Sequence, residues 1–370
     1  ETIKNNLEIV IHNNKNCLID YSKSPADSHY YKTCTPEELV RQSFISYLLN
    51  DLNFSKQSIN SEKSLGTLGG KNHKTKNKRV DLVINKEGQN ILIVEFKNEN
   101  ISLIQSAYKQ GEEYVLDLDI PYLMLCNGRQ IKLYSVKNKN LSPIDEDEIP
   151  EKLLVFKNQI KSKKQNYIFD DDYFDMERTQ KWSVPYLKEL QNKIIHSSIN
   201  GIMTNQFKII KDLGYDKGVF KNASGSKGLP AVYHFYEIEF DDKNRDIFGI
   251  GIAKYDKPIE NLKTANILTI GIGNKSCLEI WTSERFMKNT NNEIILTHNG
   301  SIKGIKGLNL EKCLDTLKTT LPDLYNAQYN NIVFGKINSD LDKTKWNEMI
   351  LNIIRFTIER EKIKRKYKKL

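Results

Sequence analysis

No stretch of the 370 residues runs to about 18 uninterrupted apolar positions, so a membrane-spanning helix is not expected. The first residues, ETIKNNLEIVIHNNKN, lack the basic start, long apolar stretch and small-residue cleavage site of a secretory signal, and a cytoplasmic protein with no membrane partner is the expectation. Cysteine is scarce. The five present (Cys17, Cys34, Cys126, Cys277, Cys313) form no CxxC pair and have no histidine at ligand spacing, which argues against a disulfide framework and against zinc. The six histidines form no HxxxH pair, and His298 in THNG reads as structural. A repeat of fixed period is also missing, which excludes a solenoid. Finally, LGTLGGKNHKT has glycines and a lysine but not the GxxxxGK[ST] spacing, so the sequence offers no phosphate loop for an ATP motor.

What is present is ordinary in bulk: 39% hydrophobic and 28% charged residues, and a length that suits two domains. The formal charge of +9 points to a polyanion such as nucleic acid, yet lysine is spread through the whole chain and raises the charge without making a face. Clustering has to decide. Lys71, Lys74, Lys76, Lys78 and Arg79 crowd a loop, and of these Lys76, Lys78 and Arg79 are placed to grip phosphates, with a solvated loop as the alternative. Arg360, Lys362, Lys364, Arg365, Lys366, Lys368 and Lys369 crowd the carboxyl end, where a solvated helix end is the simpler reading.

TPEELVRQSFISYLLNDL (35 to 52) opens with Thr at an N-cap, Pro at the first helical position and Glu38 as in a capping box, and predicts an amphipathic helix. Two strands, Val80 to Ile84 and Asn90 to Lys97, follow around Lys86-Glu87-Gly88. A helix over 101 to 118 and a second hairpin, turning at Asn127-Gly128, complete an α/β unit: a small mixed sheet flanked by helices. The expected division is a first domain at 1–140, a connector with a helix at 141–200, and a β-rich α+β domain with terminal helices at 201–370. Nothing in the last says what it binds.

Within RVDLVINKEGQNILIVEFKNEN (79 to 100), Ile91, Ile93, Glu95 and Lys97 share one strand face and Leu92, Val94 and Phe96 the other, so the strand is apolar on both sides until its end. The hairpin register sets Asp81 beside Val94 and Glu95. Two carboxylates and an ammonium then meet at one sheet end, which suits a hard divalent cation such as Mg²⁺ acting on a phosphodiester. A plain ion pair gives the same spacing.

The surrounding pieces TPEELVRQSFISYLL, RVDLVI, ILIVEFKNEN, QGEEY and PYLMLCNGRQIKLYSV occur in an order and spacing that resembles the amino-terminal nuclease domain of type I restriction enzyme R subunits, a branch of the PD-(D/E)xK superfamily, over about residues 30 to 138. The resemblance implies a restriction-endonuclease-like sheet, with Asp81 and Glu95 binding Mg²⁺ (or Mn²⁺ as a substitute) and Lys97 as the catalytic lysine. It further implies that Glu38 faces the site, through a water on the metal, and that Gln110 and Tyr114 form a QxxxY element beside the metal and the DNA backbone. The function it implies is DNA endonuclease activity in prokaryotic restriction or anti-phage defence, with other subunits of such a system or a second copy of the chain as partners. A non-catalytic nucleic-acid-binding or interaction protein on the same fold, and a nuclease for RNA or single-stranded DNA, remain open alternatives.

Overall fold

The computed structural model describes residues 7–71, 76–103, 106–157, 184–204, 206–222, 231–254, 266–273, 275–281, 285–288, 291–302, 308–337 and 341–368. The acidic run DDDYFD, the GSKG stretch, Trp182, Lys74 and Lys369 lie outside these described residues. The chain divides into two units, one of Glu1–Lys23 with His29–Asn166 and one of Ser24–Ser28 with Tyr167–Leu370.

The first unit begins with a small antiparallel sheet that the sequence reading did not anticipate: β1 (Ile9–His12), β2 (Lys15–Ile19) and β3 (Tyr31–Thr33). Helix α1 (Pro36–Ser46) then starts as its sequence dictates, with the Thr35 hydroxyl accepting from the Glu38 amide at 3.1 Å. A π-helical turn, Tyr47–Asp51, extends it. The main sheet of this unit runs, among the described residues, in the order β4 (Ile59–Ser64), β5 (Arg79–Lys86), β6 (Gln89–Phe96), β7 (Tyr122–Cys126), β8 (Ile131–Lys137) and β9 (Asn140–Ile144). Neighbours are antiparallel except β6 and β7, which are parallel and therefore need a crossover, supplied by α2 (Ser106–Leu118). The β5–β6 turn works because Glu87 (φ 53°) and Gly88 (φ 87°) both take left-handed backbone, the twist a two-residue hairpin requires.

Both sheet faces are covered, as the two apolar faces of the β6 sequence require. Leu82, Leu92, Val94 and Phe96 pack with Phe44 and Ile45 of α1, with Leu48 of the π-helical turn and with Ile149, Leu153 and Phe156 of α3 (Ile149–Phe156). Val83, Ile93, Leu123 and Leu125 pack on the other side with Ala107, Tyr114 and Val115 of α2. The unit therefore continues past residue 140, where the sequence reading ended it. Residues 140 to 144 form an edge strand that tolerates Pro143, and α3 closes one face of the core, although its acids and prolines read as connector.

Among the described residues, the second unit has α4 (Val184–His196) as its first helix. Its first sheet has the order β10 (Phe207–Gly218), β12 (Ala231–Phe240), β13 (Arg245–Lys254), β14 (Asn266–Ile272), β15 (Lys275–Trp281) and β11 (Lys221–Asn222). A second sheet has the order β16 (Phe286–Lys288), β17 (Ile294–His298), β19 (Asn331–Ile337) and β18 (Tyr325–Asn326). Helices α5 (Leu310–Thr320) and α6 (Lys343–Lys368) close the unit, and the Trp346, Met349, Ile350 and Ile353 stripe of α6 lies in its core. The basic carboxyl end is helical to Lys368 and partly committed: Arg360 donates to the Ser301 carbonyl, and Lys362 and Lys364 pair with Glu359 and Glu361. His298 is buried in β17 and accepts from the Gly300 amide at 2.9 Å, a structural role.

Gly111 lets α2 approach the sheet, because a Cβ there would stand 2.5 Å from Leu123 Cδ1. Gly111→Ala should lower unfolding stability by ~1–3 kcal/mol, the usual scale for overpacking, despite the better helix propensity of alanine. Urea denaturation of the two proteins checks it.

Candidate active site

The main sheet of the first unit splits at one end. Pairing between β5 and β6 stops at Leu82 opposite Val94, while β5 runs on beside β4 (Lys63 opposite Val80, Ser64 opposite Arg79) and β6 runs on beside β7 (Glu95 opposite Leu125, Phe96 opposite Cys126). Backbone groups that face a gap need other partners. Side chains supply them here: the Phe96 amide donates to Asp81 Oδ2 at 2.9 Å, and the Asp81 amide points at Glu95 Oε1 at 3.5 Å. Asp81 and Glu95 are thus brought together as the hairpin register anticipated. Lys97, two residues on, is half-buried, and its amide continues the β6–β7 pairing by donating to the Cys126 carbonyl at 2.9 Å.

Glu95 is fully buried, and its Oε2 has no hydrogen-bond partner. Burial first, and the Asp81 charge second, push its carboxyl up to about 8, against the opposing pull of Lys97. The Tyr114 hydroxyl lies in the same field: burial and the Glu95 charge raise it, and Gln110 Nε2 donates to it at 3.0 Å. Gln110 and Tyr114 are therefore linked to each other, and the Glu95 and Asp81 charges act on the Tyr114 hydroxyl.

Glu38 reaches the site indirectly. Its amide is capped by Thr35, but its carboxylate does not complete a capping box; Oε2 accepts from Arg41 Nη1 at 2.9 Å and Oε1 from Gln42 Nε2 at 2.8 Å. Burial raises this carboxyl, with Arg41 and Gln42 opposing. Arg41 is the hub that sequence reasoning missed. Its Nη2 donates to Asp81 Oδ1 at 2.7 Å and its Nη1 to Glu62 Oε1 at 3.1 Å, joining Glu38, Glu62 and Asp81 through one buried guanidinium. A signal existed: Arg41 shares the apolar face of α1 with Phe44 and Ile45, and a buried arginine must find carboxylates. For Glu62 there was none, since the strand that carries it was not recognised. Glu62 has left-handed backbone (φ 49°) inside β4, between the residues opposite Leu82 and Val80. Such strain costs ~1–3 kcal/mol and persists where the surroundings enforce it. Burial pushes the Glu62 carboxyl up, but its hydrogen bond to Lys32 and the Arg41 charge prevail and hold it below the usual range.

Of the basic loop residues, Lys76 and Arg79 are exposed, and Lys78 is exposed but paired with Glu113 of α2 at 2.8 Å. Among the described residues no three His, Cys, Asp or Glu side chains converge on one cation position. Asp81 and Glu95 fit a hard divalent ion as a pair: two carboxylates, one with a buried oxygen that nothing else satisfies, match the sparse protein ligation that Mg²⁺ accepts.

The Glu95 carboxyl makes stability depend on pH. Between the ordinary glutamate value of 4.5 and about 8 the folded protein keeps a proton that the unfolded chain has lost, so stability falls as pH rises through that window. Glu95→Gln removes this loss. In metal-free buffer the variant should gain on wild type by on the order of 4 kcal/mol between about pH 5 and about pH 8.5, at about 1.4 kcal/mol per pKa unit, as urea denaturation at the two pH values would show.

Comparison with known proteins finds a likeness for one segment. Residues 36–150 match the family model for the type I restriction enzyme R protein N terminus. No curated protein and no solved structure matches the chain. The matched segment spans α1 to the start of α3 and so contains Glu38, Arg41, Glu62, Asp81, Glu95, Lys97, Gln110 and Tyr114. By this match the α/β unit resembles the amino-terminal nuclease domain of restriction enzyme R subunits.

Proposed function

We propose that the first unit is a divalent-cation-dependent endonuclease that hydrolyses phosphodiester bonds in DNA, with a PD-(D/E)xK-type site made of Asp81, Glu95 and Lys97. The observation that carries this reading is the unpartnered Glu95 Oε2, buried beside a second carboxylate and two residues from a lysine, inside the segment that matches the R-protein family. A buried oxygen left in that state is destabilising by ~1–3 kcal/mol until a cation takes it.

Asp81 and Glu95 would hold Mg²⁺, or Mn²⁺ in its place. When bound, the ion polarises the scissile phosphodiester and lowers the pKa of a nearby water. The chain's own residues do the rest. Asp81 is fixed from both sides, by Arg41 on Oδ1 and the Phe96 amide on Oδ2, so little reorganisation is needed when DNA arrives. Lys97 places a positive charge where negative charge grows on the phosphoryl oxygens and orients the attacking water. Gln110, hydrogen-bonded to the buried Tyr114 hydroxyl, would offer its side-chain amide to the DNA backbone. Arg79 and Lys76 would meet flanking phosphates, and Lys78 would exchange Glu113 for one. Cutting both strands needs two sites, which a homodimer or another subunit of a restriction or anti-phage system would supply.

Plasmid DNA incubated with the full chain in Mg²⁺, Mn²⁺ or EDTA tests the reading. Wild type should cut with either metal and not in EDTA, while Asp81→Ala and Lys97→Ala, folded by circular dichroism, should each lose roughly 100-fold or more. Undiminished cutting by both variants would refute the assignment.

A further inference from the structure

Glu38, Glu62 and Asp81 surround the Arg41 guanidinium at 2.9, 3.1 and 2.7 Å, and Glu37 lies at 3.6 Å. Asp81 is common to two groups of acids. Its Oδ1 faces Arg41, while Oδ2 is held at the sheet split by the Phe96 amide, whose neighbour in sequence is Glu95. Two-cation phosphodiesterases hold their ions ~4 Å apart and so need a second set of hard oxygen donors next to the first. The donors for such a set are present here, but a guanidinium stands among them. It is permanently charged, it is buried, and the side chains around it are committed to it: Glu38 also to Gln42, Glu62 also to Lys32.

We propose that this site takes a single divalent cation, between Asp81 and Glu95, and that the Arg41 guanidinium fills the place a second cation would occupy. The inference rests on the reading of Asp81 and Glu95 as metal ligands. Arg41 neutralises the acids as an ion would, but it has no coordination positions for water and no Lewis acidity. It is a positioning residue: it holds Asp81 for the one ion and leaves the departing oxygen to Lys97 or to solvent.

Mn²⁺ titration of the full chain, followed by electron paramagnetic resonance, counts tight sites without reference to cleavage. Wild type should bind one Mn²⁺ per chain and Asp81→Ala none. Arg41→Ala, which leaves Glu38, Glu62 and Asp81 facing an unfilled space, should bind two, and Arg41→Lys, which keeps a cation there, one. Two tight sites in wild type would overturn the inference and leave the nuclease reading standing. No tight site in folded wild type would overturn the metal reading beneath both. One site in folded Arg41→Ala would show that the guanidinium does not stand in for an ion. If that variant does not fold, the wild-type count still decides between one cation and two.

Discussion

The divergence of β5 from β6 beyond Leu82 and Val94 is the constraint from which the site follows. A mixed sheet in which β5 keeps its partner β4 and β6 keeps its partner β7 must open between them, and the backbone groups exposed by that opening have to be satisfied. Carboxylates at the two positions flanking the opening do this without closing it. The site is therefore a consequence of sheet geometry: the chain binds its own backbone with Asp81 and Glu95 where a longer ladder would have used amides and carbonyls.

A concentration of acids is costly in a buried setting, and the remaining architecture of the unit offsets that cost. Helix α1 contributes Arg41 from its core face, anchored one turn later by Phe44 against Phe96 with ring centroids 5.6 Å apart. The β1–β3 sheet contributes Lys32 to Glu62, and the Tyr21 amide, just past β2, fixes Gln42, which in turn holds Glu38. Compensation stops short of Glu95. Its unpartnered oxygen and raised carboxyl remain as a local fault that the fold tolerates.

Much of this was legible in the sequence because it is carried by local rules. The Thr35 cap, the turn at Glu87 and Gly88, and the alternation in ILIVEFK each specify their element with nearby residues, and together they bring Asp81 to Glu95. What stayed hidden depends on contacts distant in sequence. Lys32, Arg41, Glu62 and Asp81 come from four separate elements, and β4, whose INSEKS has almost no apolar alternation, could not be recognised as a strand. The acids and prolines around α3 similarly mask the three residues, Ile149, Leu153 and Phe156, that make it part of the core. In the second unit the strands β12 to β15 and β17 and the α6 stripe were readable, while β10 and β19 were not, and alternation describes packing and carries no statement of what such a unit recognises.

The double duty of the acids bears on how such a protein would decay. Asp81 caps a backbone amide of β6 as well as standing in the site, so a lineage released from selection for cutting would still be under pressure to keep it. Lys97 anchors the strand only through its main chain, which any residue but proline provides. Its side chain would erode first. Surviving aspartate in a relative thus testifies to the fold, and under the proposed function the lysine is the better witness to activity.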